Sequence, residues 1–234
     1  MAMAFDAATT FQSTGNDADP ITFMHTPAGI PTFVSVAVLT NKITDFVDVV
    51  AVDYGSLSLT QALEIQYIPD ISGRFLTLEL WTGALPPGGA QTVSVDFSPD
   101  GNFSVRNIGC VTYIGGGIIG GNTNSDSANS GATSSSIILT GGDSDAIVID
   151  ATQSTEFTQG FPSPVAGAGQ TERWEATNVA SSARVKGSTK VGAASATMAW
   201  SWNDASAFAH VAVMVSAAAA APGPAPEGAM QGVA

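Results

Sequence analysis

Few residues of this chain are of types that could do chemistry. His25 and His210 are its two histidines. Each lies in a strand-like pattern, and with a serine and an aspartate either could complete a nucleophilic triad. No G-x-S-x-G elbow supports one, so both read as half-buried or surface strand histidines. Paired carboxylates a few ångströms apart would suit glycoside hydrolysis. Asp143 and Asp145 in "GGDSDA", or Glu172 and Glu175 in "ERWE", are the available pairs. Turn and edge-strand charges are the simpler reading of both. The stretch "NTNSDSANSG" spaces Asn122, Asn124 and Asp126 at alternate positions, faintly like a calcium loop, but the closing Glu of such a loop is missing. Asp17 and Asp19 in "NDAD" are an equally thin alternative. A zinc ligand set is lacking.

Aromatic surface is a third chemistry, because the apolar face of a sugar packs against an exposed ring. Trp81 falls on the side of its strand opposite Leu76, Leu78 and Leu80, and Trp174 stands between Arg173 and Glu175. Trp81, Trp174 and Arg173 are therefore the expected glycan contacts. Trp200 and Trp202 share a face with Met198 and are expected in the core between sheets. Cys110, in an apolar strand, reads as an inert buried thiol. As the single cysteine it rules out an intrachain disulfide. No catalytic residue and no cofactor is expected, structural Ca²⁺ being the one alternative.

The elements that must carry these side chains are strands. "TFVSVAVLT" (32–40) is apolar on both faces and should be a central strand. "FVDVVAVDYGSLSLT" (46–60) reads as a strand, a turn at Asp53–Gly55 and a short second strand. In "RFLTLELWTG" (74–83) the Leu row opposes Phe75, Thr77, Glu79 and Trp81. Pro86 and Pro87 end that strand. "QTVSVDF" then sends Val93, Val95 and Phe97 inward. In "FSVRNIGCVTYI" the apolar set changes parity near Asn107, which suggests a bulge there. Residues 115–136 are low-complexity and without period, so a flexible loop insertion is expected, dispensable for the fold. Residues 217–234 read as an Ala/Pro-rich tail or docking arm, after a sandwich domain over 1–216. About ten to twelve short strands with turns between them predict an all-β, antiparallel β-sandwich of jelly-roll-like type.

Composition narrows the partners. Three lysines and four arginines against a net charge of −13 argue against nucleic acid and against anionic membrane surfaces. The opening "MAMAFDAATTF" has neither a basic nor a long apolar region, so no signal peptide is expected. "AFAHVAVMVSAAAAA" (207–221) is mostly alanine and carries His210; it reads as a strand running into the tail rather than a membrane span.

The order of "DAAT", "ITFMHTPAGIPTFVSVAVLT", "YGSLSLT", "LELWTGALPPGGAQTVSVDF", "CVTYIGG", "RW" and "ATMAWSWNDASAFAHVAVMV" resembles a family of concanavalin/jelly-roll-like β-sandwich modules. These occur in virion proteins of tailed phages and in bacterial surface proteins. The resemblance spans roughly residues 4–216, and its most specific piece is W-x4-P-P-x-G-x3-V-x-V. It implies a non-enzymatic virion structural protein, a capsid decoration, head-fibre or tail-fibre subunit. Such a protein would be assembled in the host cytoplasm and displayed on the virion surface. Its implied partners are major capsid or tail proteins, copies of itself as a homo-oligomer, and host surface glycan. A carbohydrate-binding module of a bacterial surface protein is the alternative, and a jelly-roll glycan hydrolase or lyase the third.

Overall fold

All ten residues of β3 (Phe33–Lys42) are buried. Successive side chains of a strand point to opposite faces, so both faces of β3 must be covered. Phe33, Ala37 and Leu39 enter one apolar cluster, and Val34, Val36 and Val38 enter another. The computed structural model, which describes residues 2–13, 19–42, 45–69, 73–85, 88–98, 103–115, 117, 122–155, 163–178 and 183–217, shows what covers them.

β3 is the centre of a five-stranded antiparallel sheet. It lies between β9 (Phe103–Ile114) and β7 (Phe75–Ala84), with β1 (Ala4–Ser13) and β6 (Thr60–Tyr67) at the edges. On one side packs a four-stranded sheet, β2 (Ile21–His25), β8 (Gln91–Ser98), β4 (Asp48–Tyr54) and β5 (Leu57–Ser58). Its Ile21, Val52, Val93, Val95 and Phe97 meet Val34, Val36, Val38 and Cys110. On the other side lies the six-stranded sheet, with β10 (Thr123–Thr140), β15 (Ser195–Val215), β11 (Ile147–Thr155), β14 (Ala183–Val191) and β13 (Thr171–Asn178) in that order, and β12 (Val165–Ala166) beside β15. Ile147, Ile149, Trp174, Val211 and Val213 from that sheet pack on Leu39, Leu76, Leu78 and Leu80. Each fully buried Leu of this row contributes roughly 1.5–3 kcal/mol. The chain is therefore an all-β antiparallel sandwich with no helix among its described residues. Its middle sheet is covered on both faces, so the sandwich has three sheets.

β10 and β15 are long enough to bend. Thr123–Ala128 pairs with Val213–Phe208, and Ser134–Thr140 with Ser201–Ser195. The register shifts between Ala128 and Ser134, where Gly131 takes φ 76°. The far half of the ribbon folds back over the near half: Asn124 Nδ2 donates to the Ile138 carbonyl at 3.2 Å. Ile137, Leu139, Ala196 and Met198 thereby cover Ala146, Val148, Ala212 and Met214.

Two sequence expectations change here. Thr123–Ser136 is strand rather than loop. Most side chains of its first ten residues face outward, so no hydrophobic period marks it, and the ladder to β15 supplies what the side chains do not. Residues 123–133, expected to be dispensable for the fold, thus belong to that ladder. Gly116 and residues 118–121 of the same stretch lie outside the described residues, as do Pro86, Pro87 and the tail beyond Ala217. Second, the pairing of β9 with β3 runs unbroken from Val105 to Tyr113, and its shift falls between Val105 and Phe103. The parity change near Asn107 arises because both faces of β9 are buried, not from a bulge there.

Candidate functional site

Asp150 on β11, His210 on β15 and Ser135 on β10 meet between the six-stranded sheet and the folded-back half of the ribbon. β11 and β15 pair with Thr152 opposite His210 and Asp150 opposite Ala212. Asp150 and His210 thus share a face as diagonal neighbours. β10 adds Asp126, directly opposite His210. His210 Nε2 lies 3.1 Å from Asp150 Oδ2, and its Nδ1 lies 2.9 Å from Ser135 Oγ.

These are the residue types of an acyl-transfer triad, with a second acid, Asp126, beside the serine. A nucleophilic serine hands its proton to the histidine. Ser135 Oγ lies 2.9 Å from His210 Nδ1 and 3.0 Å from Asp126 Oδ2, so a second acceptor competes for its one proton. Asp150 accepts from five donors: His210, Trp200 Nε1 and Gln170 Nε2 on Oδ2, and the Ser188 backbone N–H and hydroxyl on Oδ1. Ser135, His210 and Asp150 are 3%, 0% and 2% exposed. A carboxyl substrate cannot reach the hydroxyl without opening the ribbon. The cluster ties β10, β11, β14 and β15 together.

His25 is also fully buried. The expectation of half-buried or surface histidines is corrected for both, because layers cover both faces of each strand region. His25 Nδ1 lies 2.9 Å from Thr9 Oγ1, and Nε2 lies 3.1 Å from Thr112 Oγ1. Thr112 donates to Asp6 Oδ2 at 2.9 Å, so it accepts from Nε2–H, and Nδ1 accepts from Thr9. This is a neutral imidazole. Burial lowers the His25 pKa and outweighs the pull of Asp6 in the other direction.

Glu79 is a third interior group, 1% exposed. It accepts from the Val49 N–H at 3.1 Å, Gln61 Nε2 at 2.8 Å and Trp81 Nε1 at 2.8 Å. Burial raises its pKa to about 7 against the lowering effect of those bonds. Between the ordinary carboxyl range and pH 7 the folded state holds a proton that the unfolded chain has lost. Stability therefore falls as pH rises through that window. The unfolding free energy of the protein minus that of Glu79→Gln should drop between pH 4.5 and 8, by at most about 3 kcal/mol. A difference that stays constant with pH in urea titrations overturns this.

The expected glycan contacts are placed differently from the sequence reading. Trp81 and Trp174 are each 8% exposed and sit in the two apolar clusters. Trp81 looked outward because its face also carries Thr77 and Glu79, yet the four-stranded sheet covers that face. Trp174 is held between the two larger sheets, its ring beside Gly109 and Gly187. Trp200 and Trp202 are core, as expected, and Trp202 Nε1 donates to the Ala132 carbonyl at 2.7 Å. Cys110 is buried with its thiol pKa pushed up. Asp143 Oδ1 accepts from the Asp145 and Ala146 N–H groups, a turn role. Glu172 and Glu175 both pair with Lys186, at 3.0 and 3.2 Å, and are edge-strand charges. Asn122 and Asn124 bond across the fold of β10, and Asp126 accepts from Ser135. Asp19 accepts from the Phe97 N–H, and Asp17 lies outside the described residues. Among the described residues no three His, Cys, Asp or Glu side chains gather as a metal-binding group.

No family model, curated protein or solved structure matches this chain. Of the predicted contacts, Arg173 alone is half-exposed, and it lines a groove of about 420 Å³ with Phe5, Ser144, Thr171, Thr189 and Lys190. Its guanidinium stacks on the Phe5 ring, 4.3 Å from the centroid, and Nε donates to Thr189 Oγ1 at 2.7 Å. Sequence reasoning found Arg173 but not Lys190, whose only signal was a cation in a chain poor in them. Asp150 and Glu79 were also missed. Each is an acid inside an apolar strand run, "IVIDAT" and "LTLELW".

Proposed function

We propose that this chain is a non-enzymatic structural protein of a phage particle, a capsid decoration, head-fibre or tail-fibre subunit on the virion surface. One observation carries the non-enzymatic part: the Ser–His–Asp meeting found among the described residues is sealed from solvent. Two further buried titratable groups, His25 and Glu79, are likewise bonded into sheet contacts. Layered sheets with polar ties between them suit a subunit that resists unfolding outside a cell. The particle setting follows from the resemblance to jelly-roll-like virion modules and from an acidic, lysine-poor surface that does not compete for packaged nucleic acid. Capsid or tail proteins and further copies of this chain are its proposed partners, and host glycan its external ligand. The alternative of a surface-protein carbohydrate module loses the exposed Trp81 and Trp174 platforms it required.

The test is mass spectrometry of gradient-purified particles made from the genome that encodes this chain. Recovery of the chain at a fixed ratio to the major capsid protein is the expected result. Its absence from particles ends this reading.

A further inference from the structure

The groove around Arg173 opposes the character of the rest of the molecule. The chain has 20 acids and 7 Lys and Arg, yet two of those cations and none of the acids line this groove. Lys42, Arg184 and Lys186 pair with carboxylates, whereas Arg173 and Lys190 pair with none among the described residues. Of the acids next in sequence to groove residues, Asp143 is engaged in its turn, Glu172 with Lys186 and Asp6 with Thr112, while Asp145, between Ser144 and Ala146, is exposed.

Local structure aims and fixes the arginine. β13 pairs with β14 as Glu172 to Ser188 and then Trp174 to Gly187, so Arg173 is the extra residue of a bulge. Bulges re-aim side chains at sheet edges. The Phe5 ring and the Thr189 hydroxyl then hold the guanidinium plane. Among the described residues the bond to Thr189 is the one hydrogen bond Arg173 makes, and partial burial lowers its pKa, which an adjacent anion would counter. Lys190 Nζ donates to the Ala168 and Thr197 carbonyls at 3.0 and 2.9 Å, which leaves one of its three protons.

We infer that this groove binds the carboxylate of an acidic saccharide, with Arg173 as the planar clamp and Lys190 as the second charge. A guanidinium fork matches a carboxylate in two parallel bonds. The exposed Thr171 and Ser144 side chains suit sugar hydroxyls, and the volume fits one or two rings. A monoanion is preferred to a phosphate dianion because the surrounding charge of −13 repels the dianion more. The identity of the ligand as host glycan rests on the particle reading; the binding itself does not.

The experiment is an NMR titration of the full chain with a glucuronate disaccharide, with glucose, acetate and inorganic phosphate as separate arms. Saturable shifts with the disaccharide, weaker by about tenfold or more in Arg173→Gln and unchanged in Arg184→Gln, are expected. Val191, 68% exposed on the groove rim, gives a second variant whose native side chain makes no hydrogen bond: Val191→Glu should also abolish binding. No saturable response, equal response to glucose, acetate or phosphate, or binding indifferent to both groove variants overturns the inference. Particle mass spectrometry fails or succeeds independently of any of these outcomes.

Discussion

Asp150→Asn should cost about 3 to 5 kcal/mol of folding stability, because it leaves several buried donors without an acceptor at about 1–3 kcal/mol each. The substitution keeps size and shape, so no cavity confuses the result. All five partners of Asp150 are donors, on both of its oxygens. An asparagine offers one acceptor oxygen and turns an NH₂ group toward the rest. If the oxygen stays with Ser188, the amide faces Trp200 Nε1 and His210 Nε2; if it turns, the amide faces the Ser188 N–H. A buried donor without an acceptor costs about 1–3 kcal/mol, and more where a charge is involved. Asp143→Asn is the matched control. Its Oδ1, which accepts both turn N–H groups, survives the change, so its cost should stay within about 0.5 kcal/mol. Urea midpoints at pH 7 measure both. Equal midpoints for the two variants would mean that the Asp150 cluster does not hold the ribbon to the sheet.

How much of this could be read in the residues depends on what a strand pattern encodes. Alternation tells which side chains share a face and nothing about what covers it. "TFVSVAVLT" declared itself central because both of its faces are apolar, and β3 is buried throughout. The face of Phe75, Thr77, Glu79 and Trp81 reads as solvent-facing by the same logic, because it mixes polar and aromatic groups. The structure instead covers it and spends the polarity internally, Trp81 donating to Glu79. The third sheet was invisible for that reason. β10 was hidden differently. Its Ser, Thr and Asn residues carry no period, and its strand state comes from β15, whose second half is strongly apolar. The Ser135–His210–Asp150 meeting requires residues 75 positions apart and a ribbon folded on itself. An acid within "IVIDAT" was the legible hint, because a carboxylate inside an apolar strand must be matched by donors.

The second large effect should come from adding a single methyl group. A Cβ on Gly187 would stand 2.1 Å from Trp174 Nε1, and one on Gly109 would stand 2.5 Å from the Trp174 ring. Gly187 is opposite Trp174 in the β13–β14 pairing, and Gly109 belongs to β9 of the middle sheet. The indole thus fills a slot with one glycine wall in each sheet. Neither wall can retreat, because each strand is hydrogen-bonded to a neighbour on both sides. Gly187→Ala therefore has to displace the indole from the core, and it should cost about 3 to 5 kcal/mol, as much as deleting a buried tryptophan. A plain loss of glycine from a strand would be neutral or slightly favourable, so the sign alone separates the two accounts. Trp174→Leu should cost about 2 to 3 kcal/mol by itself but vacate the slot. In the double variant the two costs should not add, the coupling exceeding about 1 kcal/mol. If urea unfolding of the four proteins shows additivity within about 0.5 kcal/mol, the methyl and the indole do not compete for one space, and the glycine-walled slot is not what joins these sheets.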